Sequence, residues 1–294
     1  MGDFSAIYKK TFKQTLSPYG YKVWKGFFYK ETENIFFCIQ AKKIAHSTGF
    51  EMTIDLIPYC ADLKLNEYEP PRGYNVVTFY KVLISDKLTN DHLPDFVERF
   101  NATDDEATDS SLNTICNDMV GLILPYIHKF EDLNYCYNEL MNLKKTRDYG
   151  GDDIENNKYY LRDYVVYGLS LKLHKYEDAL QYIDFNLSRR KEVINQSSAN
   201  RAKLLERDLI GTMDQRWSIE SREKLAKSIL RKQPDFFETQ IKACEKTIAK
   251  SMKEIARLQK IEEALLSNDN KYLDKLVAET EKDSREYIRQ MIKG

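Results

Sequence analysis

Apolar and polar positions alternate most clearly between Ile35 and Ile57. In Ile35–Lys42 one set, Ile35, Phe37, Ile39 and Ala41, interleaves with another, Phe36, Cys38, Gln40 and Lys42. In Phe50–Ile57, Phe50, Met52, Ile54 and Leu56 alternate with Glu51, Thr53 and Asp55. A period of two across neighbouring segments, joined by the short polar stretch Ile44–Gly49, predicts two long strands of an antiparallel sheet. One polar face implies helices on one side and a partly open surface on the other. Shorter strands are expected at Tyr21–Trp24 and Phe27–Glu31, turning at Lys25-Gly26, and another at about Tyr74–Ser85.

Helical spacing surrounds this sheet. Phe4, Ile7, Tyr8, Phe12 and Leu16 form one face of a first helix, stopped by Pro18 and Gly20. The acidic stretch around Asp104, Asp105, Glu106 and Asp109 reads as a loop, before a helix marked by Leu112, Ile115, Met119, Leu122 and Tyr126 with Pro125 ending or bending it. A further helix carries Phe130, Leu133, Tyr137, Leu140 and Leu143. Tyr149-Gly150-Gly151 with Asp152-Asp153 reads as a linker.

Beyond it only helices are expected. Tyr159–Leu173 and Tyr176–Leu187 form an antiparallel pair turning near His174-Lys175, followed by a less regular region, Ser197–Arg231. The longest helix starts at Pro234-Asp235, with Asp235 as cap and Glu238 as its capping-box partner. Ile241, Cys244, Ile248, Met252, Ile255 and Leu258 keep nearly a heptad register along it. Ser267-Asn268-Asp269-Asn270 breaks it, and a last helix is expected to fold back on its predecessor. The fold class is therefore α+β: a mixed domain over 1–148 and an all-helical domain over 152–294, with a long coiled-coil-like hairpin.

Composition changes this picture little. The chain has 294 residues, 42% hydrophobic and 31% charged, enough for a sizeable core. Twenty Tyr and 14 Phe favour aromatic packing between sheet and helices, or a protein-binding surface. A net charge of −1 lacks the footprint of a nucleic-acid binder. Five scattered cysteines without a C-x-x-C pair argue for reduced thiols. No signal peptide and no membrane-spanning apolar run are read, so a cytoplasmic location is expected.

Candidate chemistry is sparse. His46, His92, His128 and His174 have no partners at metal-ligand spacing, and no glycine-rich phosphate loop or nucleophile elbow occurs, so no metal, cofactor or catalytic residue is assigned. Glu51, Thr53 and Asp55, with Gln40 and Lys42 opposite, line one strand face. That pattern suits either a solvated, charge-paired surface for a partner or, less well, a metal-binding nuclease-like site. Residues 189–232 hold twelve Lys and Arg against six Asp and Glu. Arg189, Arg190, Arg201, Arg207, Arg216 and Arg222 would then be candidate phosphate contacts, and Trp217 a candidate partner anchor.

Leu16-Ser17-Pro18-Tyr19-Gly20-Tyr21-Lys22, Phe27-Phe28-Tyr29-Lys30 and Phe37-Cys38-Ile39-Gln40 with Lys42-Lys43 resemble the bacterial family called domain of unknown function 4304. Leu122-Ile123-Leu124-Pro125-Tyr126-Ile127 and Leu133 look like that family's closing helix, so the resemblance spans about residues 1–145. It implies an α+β domain without established catalysis, sometimes suspected of roles in bacterial conflict such as toxin immunity. Gly168 and Tyr176-Glu177-Asp178-Ala179-Leu180 with Ile183 resemble a single tetratricopeptide-type hairpin.

The expectation is a non-catalytic module that binds another protein, a toxin or a defence-complex subunit, as an immunity or defence component. Nucleic-acid binding with metal-dependent cleavage is the alternative. Self-association through Asp235–Leu266 is a third arrangement, against an intramolecular hairpin.

Overall fold

In a computed structural model the described residues are 4–43, 49–61, 99–101, 103–146 and 163–293. The class is α+β. Helix α1 (Phe4–Leu16) leads through a 3-10 turn into strands β1 (Lys22–Trp24), β2 (Phe27–Glu31), β3 (Ile35–Lys43), β4 (Gly49–Pro58) and β5 (Arg99–Asn101). Among the described residues these make one antiparallel sheet in the order β1-β2-β3-β4-β5. The strand expected at Tyr74–Ser85 and the linker at Tyr149–Gly151 lie outside the described residues.

Lys25 and Gly26 both have positive φ, 41° and 91°, as a two-residue turn matched to strand twist requires. The β2–β3 ladder ends at Phe28 opposite Ile39. Beyond it the Tyr8 hydroxyl continues the bonding, donating to the Gly26 carbonyl and accepting from the Ala41 N–H, each at 3.1 Å. Tyr8 and Phe12 of α1 pack on Phe28, and Phe4 on Phe50. The expected apolar set, Phe37, Ile39, Ile54 and Leu56, is buried on this face.

Helix α2 (Asp105–Asp118) begins inside the stretch expected to be a loop. Asp104 is extended and its side chain accepts from the Ala107 N–H at 2.8 Å. Asp105 and Glu106 then lie in the first turn, where their charge complements the helix dipole. A π-helical turn, Met119–Ile123, precedes α3 (Leu124–Ile127). Pro125 has no N–H to donate back and its ring crowds the preceding turn, so the helix widens there. The extra residue moves Leu122 to the surface and brings Ile123 and Leu124 into the core. After a 3-10 turn comes α4 (Leu133–Thr146).

The remaining helices are α5 (Asp163–Lys172), α6 (Tyr176–Leu205), α7 (Leu209–Thr212), α8 (Ile219–Lys232), α9 (Phe236–Leu266) and α10 (Asn270–Lys293). Asp235 does not make the expected capping box. Its φ of −91° and ψ of 15° depart from the extended backbone a cap needs, and its carboxylate accepts from the Thr239 hydroxyl instead.

The chain divides into two compact units, Met1–Ala179 with Asp274–Gly294, and Leu180–Leu273. This differs from a division near residue 150, because α5 and most of α10 group with the sheet. In the first unit, Gly168 of α5 lets the helix approach the turn after β4; a Cβ there would lie 2.2 Å from the Cys60 carbonyl oxygen. The sheet face expected to be partly open is covered at one end. Phe27, Phe36, Cys38, Ile57, Tyr59 and Ile288 form one buried cluster, flanked by Trp24, Tyr29 and Ile292. Arg285 lies 3.7 Å over the Tyr59 ring and also donates to the Glu33 carbonyl. Lys172 pairs with Glu281 at 2.8 Å.

In the second unit α6 and α9 run antiparallel, as Arg201 meets Glu245 and Arg207 lies over Phe237. Leu204, Leu258, Ile261 and Leu265 are buried there, while the first half of α9 holds no fully buried residue.

Candidate functional site

Three places bear on function. The first is the polar end of the β3–β4 pair. The register sets Lys42 opposite Glu51, Gln40 opposite Thr53 and Cys38 opposite Asp55, so the sequence correctly groups these five polar residues on one sheet face. Gln40 is half-buried, and the neighbouring Cys38 position belongs to the cluster covered by Ile288. Glu51 and Asp55 stand four residues apart on one strand, about 13 Å at roughly 3.3 Å per residue. That backbone separation is long for two ligands of one ion.

The second is His128, in the 3-10 turn before α4. Its Nε2 lies 3.3 Å from the Tyr21 hydroxyl, the two rings stack, and Phe37 meets the imidazole edge-on at 5.6 Å. Burial lowers the His128 pKa, and Lys30 lowers it further against the opposing pull of Glu131. Burial raises the Tyr21 pKa well out of the physiological range. Lys30 and Glu131 pair at 3.4 Å beside them. Its neutral form is thus favoured, and the imidazole is wedged between aromatic rings, an arrangement that serves packing. Sequence spacing could not find it, since Tyr21 and His128 are 107 residues apart.

The third is the end of the helical unit around α7 and α8, where local bonds fix the chain tightly. Asp208 caps α7 by accepting from the Gly211 N–H at 2.8 Å. Ser218, in extended conformation, caps α8 by accepting from the Ser221 N–H. The Trp217 N–H donates to the Asp214 carbonyl. These bonds hold large apolar side chains in solvent: Trp217 is 50% exposed, Ile219 64%, and Leu225 and Leu230 37% each. Trp217 precedes α8, and Ile219, Leu225 and Leu230 lie along it.

Each of the six candidate arginines has a partner within the chain. Arg216 is bound to Asp214 at 2.7 Å, Arg201 to Glu245 at 2.8 Å, and Arg207 stacks over Phe237. Arg189 and Arg190 are half-buried and engaged. Arg222 is 9% exposed and donates to the Gln215 side chain at 2.5 Å.

None of the five cysteines forms a disulfide, and burial pushes the Cys60 thiol up to about 12. Among the described residues no group of three His, Cys, Asp or Glu stands together in a geometry for a metal ion, and no helix is long and apolar enough to cross a membrane. No protein-family model, curated protein or solved structure matches the chain.

Proposed function

We propose that this chain is a non-catalytic protein-binding module, acting as a bacterial immunity or defence component that binds and masks a partner protein. The observation that supports it is the exposed set Trp217, Ile219, Leu225 and Leu230 on and just before a capped helix of the helical unit. Rigid aromatic and aliphatic side chains are the anchors protein interfaces use, because little side-chain entropy is lost when they are covered. The resemblance of residues 1–145 to a family suspected of roles in bacterial conflict favours the immunity reading. The nuclease-like alternative has less support: Glu51 and Asp55 lie far apart along one strand, and several of the arginines it needs are occupied by the chain's own groups.

The test is affinity purification of the tagged chain from its native cells, then reconstitution with the identified protein in purified form. A stoichiometric complex that survives gel filtration is expected. Failure to reconstitute any partner overturns the reading. So does metal-dependent cleavage of DNA or RNA that is lost in Glu51→Gln.

A further inference from the structure

We infer that the sheet face under the end of α10 is a docking groove for a basic amphipathic helix of a partner protein, with residues 285–292 of α10 as its resident and displaceable occupant. The inference rests on the protein-binding reading and adds a surface apart from α8, with the chemistry of what that surface binds.

The groove is apolar at its centre and acidic at one rim. Phe27, Phe36, Cys38, Ile57 and Tyr59 line it from the strands and the turn after β4, and Trp24 and Tyr29 extend it, half-buried, towards β1. From the helix the same cluster takes one fully buried residue, Ile288, with Ile292 half-buried beside it. Arg285 lies over the Tyr59 ring and donates to the Glu33 carbonyl, and Arg289 stands 4.0 Å from the Glu31 carboxylate. At about 3.6 residues per turn, Ile288, Ile292, Arg285 and Arg289 fall within an arc of about 100° on the helix. They form one continuous stripe, two aliphatics beside two cations, each pair one turn apart. This is the helix-in-groove mode of recognition, made here within one chain.

Charge orients the occupant. Glu31 sits on the Arg289 side, whereas Lys22 and Lys25 are exposed on β1 and in its turn, and Lys25 already lies over Trp24. Cations of an incoming helix therefore belong over Glu31 and the Glu33 carbonyl, and its aliphatics over the apolar centre.

The resident helix is lightly held. Over residues 274–290 of α10, Val277, Ser284 and Ile288 alone are buried, whereas the 13 residues of α1 bury Tyr8, Thr11, Phe12 and Leu16. Beneath Arg285 the buried Tyr59 hydroxyl has no hydrogen-bond partner among the described residues. Opening relieves that cost, because water then reaches the hydroxyl. Arg289 is 58% exposed, and at 4.0 Å its pairing with Glu31 is loose. Few buried apolar contacts are what mark segments that open without global unfolding.

The probes are a labelled synthetic peptide of residues 280–293 and its counterpart with Arg285→Glu and Arg289→Glu, titrated into the full chain by fluorescence anisotropy. Ile292→Asp loosens the resident helix and leaves the strand residues in place. It is expected to bind the arginine peptide at least about tenfold tighter than the wild type does, and about tenfold tighter than it binds the glutamate peptide. Glu31→Lys, added to Ile292→Asp, is expected to abolish that preference. In the wild-type chain, hydrogen exchange followed by mass spectrometry is expected to run at least about 100-fold faster in residues 286–292 than in β3.

Exchange of residues 286–292 in step with β3, equal binding of the two peptides, or no gain in Ile292→Asp overturns the inference. So does collapse of the folded state in Ile292→Asp, read by circular dichroism, because α10 would then be an integral part of the core. It is also overturned if Ile292→Asp takes up phosphatidylglycerol vesicles, or dimerises on gel filtration, and leaves the peptide unbound. A reconstituted partner complex that is indifferent to Ile292→Asp and Glu31→Lys removes this groove and leaves the protein-binding reading standing. Absence of any reconstitutable partner, with peptide binding intact, removes that reading and not the groove.

Discussion

The Ser284 hydroxyl donates to the Ala61 carbonyl at 2.9 Å, joining residues 223 positions apart in a buried setting. It ties the last helix to the turn that leaves β4, beside the cluster in which Ile288 covers Phe36, Cys38 and Ile57. Ser284→Ala leaves that carbonyl without its partner and is expected to cost about 1–3 kcal/mol in denaturant unfolding. Ile288→Ala is expected to cost about 2–5 kcal/mol and to speed modification of the Cys38 thiol by a disulfide reagent.

Gly168→Ala places a methyl group where the Cys60 backbone already lies, 2.2 Å from its oxygen. Neither the helix nor the turn can yield easily, because Tyr59, Cys60 and Ala61 are all buried. A loss of about 1–3 kcal/mol is expected, read as a lower thermal midpoint. An unchanged midpoint would show that α5 does not approach this turn closely.

Asp104→Ala removes the N-cap of α2 and leaves the Ala107 N–H to solvent. The expected cost is about 1 kcal/mol, with Asp104→Asn recovering most of it. Equal stability of the Ala and wild-type chains in urea would place the start of α2 elsewhere.

His128 has a folded-state pKa below its ordinary value of 6.5, set first by burial and then by Lys30. The unfolded chain therefore takes up a proton that the folded chain resists as pH falls below about 6.5, and folding stability declines through that window. Well above the ordinary pKa of 6.5 the residue is neutral in both states and the slope fades. Unfolding free energies measured between about pH 5 and 8 are expected to fall towards acid in the wild type and less so in His128→Gln.

Leu258 is buried within the single chain, late in α9. Leu258→Lys is therefore expected to lower stability by several kcal/mol, about 3 or more, at every protein concentration. Dissociation of an oligomer with intact folding would instead make α9 a contact between copies.

Much of the sheet could be read from period two alone. Alternation put Gln40 and Lys42 on the same face as Glu51, Thr53 and Asp55; the register that sets Lys42 opposite Glu51 came with the structure, and a one-residue slip would turn Phe37, Ile39, Ile54 and Leu56 out of the core. The acidic stretch at Asp104 was harder, since the same residues suit a solvated loop and a capped first turn. Leu122 was placed on the wrong side because the helical period assumes a regular helix, and the π turn before Pro125 shifts the phase. Of the candidate site, the strand residues and Trp217 were visible as residue types, but the occupation of Arg201 and Arg216 by neighbouring acids was not.

Local pattern was enough for the element types, the antiparallel pairing of the long strands and the α+β class, because each depends on residues within a few positions of one another. Only the tertiary structure decided that the last helix covers one end of the sheet face, that His128 stacks on Tyr21, and which apolar side chains stay in solvent at Trp217–Leu230. Several of those outcomes depend on which surfaces meet across about one hundred or more residues, and an amphipathic face announces that it will be covered without naming its cover.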